Sequence, residues 1–274
     1  MYTGENHTFA ICAYKESIYL EDCVKSLVNQ ELPSKIIMIT STPNEHIRKI
    51  SEQYSIPLYV NEGENGIVQD WNYAYKMADT KYVTLAHQDD VYLPHYTSEI
   101  MKLEKEAKNP LIVFTDYGEL REDNAVEHNN LLRIKRMMLF PLRFAILWNS
   151  KFVRRRILSL GNPICCPAVT FVKDNLPEKV FSVGFRSNED WEAWEMLSKM
   201  KGAFAYSRTI GMYHRIHEGS ETSVIIGDNA RSKEDFVMYC KFWPHPIAKL
   251  LTKFYSSSEK SNELYKMKEQ NVEK

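Results

Sequence analysis

Short apolar runs alternate with amphipathic runs through the first third of the chain, and this alternation narrows the fold more than any other feature. "HTFAICAY" (7–14) reads as a strand. "YLEDCVKSLVNQ" (19–30) follows with Leu20, Cys23, Val24, Leu27 and Val28 at helical spacing. "SKIIMITSTPNE" (34–45) is a second strand ending in turn residues, "EHIRKISEQYS" (45–55) a second helix, and "IPLYVNEG" (56–63) a third strand. "IVQDWNYAYKMAD" (67–79) and "KYVTLAH" (81–87) add a third helix and a fourth strand. Strands separated by single helices predict an α/β domain, a mostly parallel mixed sheet flanked by helices.

Ligands of such sheets bind beyond the carboxyl ends of the strands. Tyr14, Thr40, Asn61 and the pair Asp89–Asp90 all fall at predicted strand ends. Two adjacent carboxylates repel unless something positive sits beside them. A hard divalent cation such as Mg²⁺ or Mn²⁺, bridging to an anionic ligand such as a diphosphate, is one answer. A solvated turn with one Asp capping the next helix is the other.

Beyond Leu93, "SEIMKLEKEAKN" (98–109) predicts a charged helix and "PLIVFTDYGEL" (110–120) a fifth strand. "ICCPAVTFVKD" (164–174) reads as a strand, "NEDWEAWEMLSKMKG" (188–202) as a helix, and "GAFAYSRTIGMYHRIHEGS" (202–220) as a strand running into a loop. The final "SSSEKSNELYKMKEQNVEK" is polar and carries no recognisable chemistry. The 274 residues are long enough for a sizeable core, and a net charge of −1 predicts no nucleic-acid partner. Cys12, Cys23, Cys165, Cys166 and Cys240 have no metal-type spacing. Without a secretory leader they read as reduced thiols of a cytoplasmic protein. No apolar run is long enough to span a membrane.

Four blocks taken together carry a resemblance. They are "FAICAYKESIYLEDCVKSLVNQELPSKIIMIT", "GIVQDWNYAYKMADTKYVTLAHQDD", "NEDWEAWEML" and "HRIHEGSETS". In order and spacing they resemble the family 2 glycosyltransferases of the GT-A (Rossmann-like) fold, over about residues 7–220. The resemblance implies an inverting transferase that uses a nucleotide-diphosphate sugar, most often UDP-linked, with Mn²⁺ or Mg²⁺. It implies a transferase domain over 1–225, with a nucleotide-binding half to about 120 and an acceptor-binding half after it. A helical C-terminal extension over 226–274 would follow.

Residue by residue, the resemblance places Ala13, Tyr14 and Glu16 at the nucleoside. The Tyr ring would stack on a base, or be merely a half-buried aromatic, and the carboxylate would bond a ribose hydroxyl. Thr40 stands where the family carries an Asp that accepts from the uracil ring; a hydroxyl or carbonyl can accept the same bond. Asn72 matches a family Asn but lacks the preceding basic residue, which leaves more diphosphate charge to the metal. Trp71 reads as core packing. His87 replaces a family Asp and reads as packing. Asp89 goes to the ribose or metal shell and Asp90 to the metal. Asp190 becomes the base that deprotonates the acceptor hydroxyl, although Glu189 and Asp190 also suit the dipole of a helix start. Arg215 would pair a phosphate oxygen and His217 would meet the metal or diphosphate.

From His128 to Lys173 there is no Asp or Glu, yet nine Lys or Arg. The window 131–160 interleaves these cations with Met, Leu, Phe and Ile. It suits an anionic membrane surface at the cytoplasmic face, a phosphate-bearing lipid-linked or saccharide acceptor, or an ordinary pair of surface helices. The aromatic and basic segment 236–255 equally suits membrane contact or a homodimer. The expected role is transfer to a saccharide or glycolipid in surface polysaccharide synthesis. A non-catalytic nucleotide-sugar-binding or scaffold protein on the same fold is the rival from another class. A nucleotidyltransferase would need glycine in the first loop, and "AYKESIYLEDC" has none.

Overall fold

A computed structural model describes residues 4–64, 66–217 and 230–253. The polar tail and the second half of "HRIHEGSETS" (218–223) lie outside the described residues. The first half is as the alternation requires. β1 (His7–Cys12), β2 (Lys35–Thr40), β3 (Leu58–Val60) and β4 (Tyr82–His87) are joined by α1 (Leu20–Val28), α2 (Glu45–Gln53) and α3 (Ile67–Met77). Leu20, Cys23, Val24 and Leu27 of α1 are buried as their spacing predicts, whereas Val28 faces solvent. α2 starts on Asn44, whose side chain accepts from the Ile47 N–H and satisfies an otherwise orphaned donor.

The remaining elements are β5 (Val91–Tyr92), α4 (Tyr96–Glu106), β6 (Pro110–Arg121), β7 (Asn124–Val126), α5 (Asn130–Met138), α6 (Lys151–Leu158), β8 (Val169–Val172), α7 (Glu189–Ser198), β9 (Ala203–Ile216) and α8 (Ala230–Cys240), with a further helix over 245–253. The sheet order is β3-β2-β1-β4-β8-β6-β9-β5, with β7 on the edge of β6. Of the nine strands, β3, β2, β1, β4, β6 and β9 run the same way, and β8, β5 and β7 run against them. The chain leaves β3 on one flank and re-enters at β4 on the other side of β1. That reversal opens a crevice beyond the carboxyl ends of β1 and β4.

Three features depart from the sequence reading. The strand expected over 164–174 is only four residues long, because Cys166–Ala168 form a 3₁₀ turn around Pro167, which has no N–H to give a ladder. "MYHRI" does not loop out. β9 stays paired with β6 as far as Arg121↔Ile216, past register shifts at Thr115/Asp116 and Asp116/Tyr117. Gly118 makes this long pairing possible, since a Cβ there would sit 2.7 Å from the Tyr213 ring. The two-residue β5 was not anticipated. It pairs Val91 with Tyr213 and Tyr92 with Met212, and so pins the chain just after Asp90 against the strand carrying His214 and Arg215.

The C-terminal helices dock on α6 and α7. Trp243 Nε1 donates to the Ser159 carbonyl at 2.7 Å, and Tyr239 lies edge-on to Trp191 with ring centres 5.3 Å apart. α8 also supports the turn before α7. Glu234 accepts from the Arg186 and Ser187 N–H groups, and Asp235 accepts from Asn188 Nδ2 at 2.9 Å. Among the described residues no helix is long and apolar enough to cross a membrane.

Candidate active site

The crevice is built around Asp90, which has no solvent exposure. Its Oδ1 accepts from His214 Nδ1 at 2.9 Å and from the Arg215 N–H at 3.0 Å, both delivered by β9. Its Oδ2 is buried with no hydrogen-bond partner among the described residues, and faces His87 Nδ1 at 4.0 Å. His87 stacks on Trp71 with ring centres 5.2 Å apart, so both rings pack as expected. Asp89 is more open. Its Oδ2 lies 3.0 Å from His217 Nε2, and its carbonyl accepts from Arg215 Nε at 2.9 Å. Ligand atoms of His87, Asp89 and Asp90 lie within 4.8 Å of one another. Two carboxylates, one with a buried oxygen left over, fit a hard divalent cation.

Arg215, expected on a phosphate, is buried and held by the protein. It meets Asp123 at 2.6 Å and Asp22 at 3.6 Å, and its guanidinium lies 4.3 Å over the Tyr19 ring. In this arrangement it fixes the Asp89 peptide. His217 rests against the same Tyr19, ring centres 4.9 Å apart.

On the other wall, Tyr14 is exposed on the loop after β1, and the side chain of Gln88 grips its peptide from both sides. The Tyr14 N–H donates to Gln88 Oε1 at 2.9 Å, and Gln88 Nε2 donates to the Tyr14 carbonyl at 3.0 Å. Lys15 takes a left-handed φ of 54°, and its N–H reaches Thr42 Oγ1 at 2.6 Å. Ala13 beneath is buried and Glu16 is exposed. Thr40 is buried, and its hydroxyl accepts from the Thr42 N–H at 3.0 Å. A carboxylate does stand at the end of β2, but it comes from α3. Asp70 accepts from Ser41 Oγ at 2.6 Å and from Asn61 Nδ2 at 2.7 Å. Asn72, expected beside the nucleotide, has both ends of its amide engaged with the backbone of Val180 and Phe181.

Asp190 opens α7. Its Oδ2 accepts from Asn162 Nδ2 and its Oδ1 from the Trp191 N–H, each at 2.7 Å. Burial pushes this carboxyl above the ordinary Asp range, against those two bonds and the charges of Lys135 and His87, which lower it. Lys135 reaches inward from α5 and donates to the Tyr117 hydroxyl at 2.8 Å. A cavity of about 310 Å³ is lined by Gly66–Gln69 at the start of α3 and by Val183, Phe185, Arg186 and Glu189, the residue before Asp190.

Two histidines shift in opposite directions, which predicts a stability maximum. Burial disfavours a charged His214, but the adjacent Asp90 outweighs it and raises the imidazole from 6.5 to about 9. In metal-free protein that pair therefore stabilises fully below about pH 6.5 and fades as pH rises through about 9. Burial alone lowers His7 to about 3, and the ring sits neutral between Ser34 and Thr84. Its cost grows as pH falls below about 6.5. Urea unfolding across this range is expected to peak near neutrality. His214→Gln flattens the alkaline limb and His7→Gln the acid limb.

The family model for "Glycosyl transferase family 2" matches residues 8–180, more than half of the chain. The chain belongs to this family. Comparison with curated proteins gave no match. Among solved structures, TarS 1–349 of S. aureus in complex with UDP-GlcNAc superposes with a TM-score of 0.59 at 14% identity, over 90% of this chain and 70% of that one. The mannosyltransferase PcManGT of Pyrobaculum calidifontis, in complex with GDP-Man and Mn²⁺, gives 0.58 at 12% identity over 93% and 70%. Glucosyl-3-phosphoglycerate synthase of Mycobacterium tuberculosis, with Mn²⁺ and UDP-glucose, gives 0.59 at 11% over 87% and 79%. At these identities the likeness is one of fold.

Within this family 2 chain, sequence reasoning passed over His214, Gln88, Asp70, Asn162 and Lys135. Only Asp70 left a local signal, an acid in the first turn of a helix that begins where two strands end in hydroxyls and an amide.

Proposed function

We propose that the chain is an inverting, metal-dependent glycosyltransferase. It moves a sugar from a nucleotide-diphosphate donor, UDP-linked, to a hydroxyl of a saccharide or lipid-linked acceptor in surface polysaccharide synthesis at the cytoplasmic face. The observation that carries this reading is the presence of two carboxylate sites, one at a strand end and one at a helix start. Asp89 and Asp90 sit at the fold's switch point, and Asp190, partly buried at the start of α7, has a raised pKa.

Asp89, Asp90 Oδ2 and His217 would hold Mn²⁺ or Mg²⁺. The ion, when bound, would neutralise the leaving diphosphate, so no second carboxylic acid is required. The protein supplies the rest. Tyr14, presented by Gln88 and Thr42, offers a ring for the base, with Ala13 beneath it. Glu16 offers a carboxylate to the ribose. Asp70 with Thr40 closes the end of β2. Asn72 and Arg215 act through the backbone they hold. Asp190 takes the acceptor proton while the hydroxyl attacks the anomeric carbon from the face opposite the diphosphate. Its raised pKa brings it closer to neutrality and so strengthens it as a base, and Asn162 holds its Oδ2 in place.

The donors bound by the structural neighbours include both UDP and GDP sugars. Thermal shift with UDP and GDP, each with and without Mn²⁺, tests the reading. UDP is expected to raise the Tm by several degrees only when the ion is present, and UDP-sugar hydrolysis is expected to need it too. Binding that is indifferent to metal, or no nucleotide binding at all, overturns it.

A further inference from the structure

The outer face of α5 is the reverse of an ordinary surface helix. Leu131, Ile134 and Met137 recur every three residues and point to solvent, while Leu132 is the buried residue of that helix. The apolar stripe continues through Phe140 and Phe144 to Ile146, which is 89% exposed. Phe152 at the start of α6 is 70% exposed. Phe140 and Phe144 pack edge-on with centres 5.9 Å apart, so these two rings share one surface. A soluble protein rarely leaves so much contiguous apolar surface to water without a use for it.

Charge decides what the surface fits. Half of the cations in this window are turned inward. Arg136 pairs with Asp116, Arg155 with Glu195, Arg154 is buried against the Met200 carbonyl, and Lys135 reaches Tyr117. The other four, Arg133, Arg143, Lys151 and Arg156, are exposed among the apolar side chains. Arg143 lies over Phe140 at 5.2 Å and Arg156 over Phe152 at 5.5 Å, with the charged ends beside the rings. Glu99 and Glu106 on α4 share a cleft with Arg143 and Ala145. Arg156 also lies 4.8 Å over Trp243, which joins this surface to the helix over 245–253, where Ile247 and Leu250 are exposed beside Lys249 and Lys253. Apolar side chains interleaved with cations, with no acid in the segment, match the acyl and headgroup layers of an anionic lipid surface.

We propose that α5, α6 and the turns between them dock on an anionic membrane surface, carrying the crevice to it. α5 also sends Lys135 into the site, so docking sets the acceptor side of the crevice against the lipid. The proposal goes beyond the transferase reading and stands without it, since lipid binding needs neither donor nor metal.

Sedimentation of the full chain with phosphatidylglycerol–phosphatidylcholine vesicles, in the absence of nucleotide, tests it. The wild type is expected to partition to the mixed vesicles and not to pure phosphatidylcholine. Each cation removed is expected to weaken partitioning about fivefold, so Arg143→Gln with Arg156→Gln loses roughly 25-fold. Phe144→Ser with Ile146→Ser is expected to lose at least tenfold, while the Tm and the nucleotide shift stay at wild-type values because these side chains are exposed. Equal partitioning of the serine variant overturns the proposal. So does an absence of binding to the mixed vesicles, including the case where the serine variant instead abolishes a concentration-dependent dimer, which would make a second copy the occupant. A failed nucleotide shift with intact vesicle binding would remove the transferase reading and leave this one standing.

Discussion

Asp190→Asn is expected to lower transfer by about 10²–10⁴-fold while leaving Mn²⁺-dependent UDP binding within about twofold. The amide keeps the shape of the carboxylate but cannot take a proton. Asn162 and the Trp191 N–H both donate to Asp190, so an amide can satisfy only one of them. A small stability loss, about 1 kcal/mol, should accompany the catalytic loss. The wild-type kcat/KM should rise with pH through an apparent pKa above the ordinary Asp value, since a base works in its deprotonated form and burial raises this one. The variant's residual rate should lack that limb. Transfer that survives within a few-fold, or an unchanged acid limb, would assign the proton to another group.

Asp89 and Asp90 should separate under substitution although they are neighbours in sequence. Asp90→Ala leaves the half-buried His214 imidazolium and the Arg215 N–H without their fully buried acceptor. Removing the fully buried member of such a pair costs about 3 kcal/mol. For a domain of this size that is about 6–12 °C in Tm. His214 should then fall back from about 9 toward a neutral ring, and the alkaline loss of stability should disappear with it. Asp89→Asn, half-buried beside His217, should move the Tm by no more than about 2 °C, because partly exposed pairs contribute little. Both variants should lose the nucleotide shift that depends on Mn²⁺. Calorimetry with and without metal distinguishes the two. Equal Tm losses for both would show that the crevice does not divide the pair into a scaffold carboxylate and an open one.

The parts of this molecule that were legible in sequence are those set by local periodicity. Leu20, Cys23, Val24 and Leu27 mark one face of α1, and the apolar runs of β1, β2 and β4 stop at the residues that line the crevice. Asp89, Asp90, Asp190 and Tyr14 could be nominated because strand ends and helix starts can be placed from such patterns. What could not be read is pairing across long separations. His214 reaches Asp90 across 124 positions through a two-residue strand too short to leave a pattern. The protein partners of Arg215 could not be read for a related reason. A cation in a phosphate-like motif invites an anionic ligand, and nothing local announces that Asp22 and Asp123 converge on it from two other elements. Thr40 gave no hint that Asp70 stands at the end of its strand, bonded to Ser41, since Asp70 lies on α3, three elements later.

The grip of α8 on the turn before α7 has a practical consequence. Glu234 and Asp235 hold Arg186, Ser187 and Asn188, the residues that lead into α7 and Asp190. Acceptor loops are the natural target for anyone wishing to redirect such an enzyme, and the usual graft would exchange the stretch around 160–190 alone. Here that graft would separate Asp190, the proposed base, from its distant cradle. A chimera should therefore carry 230–240 along with the loop it borrows.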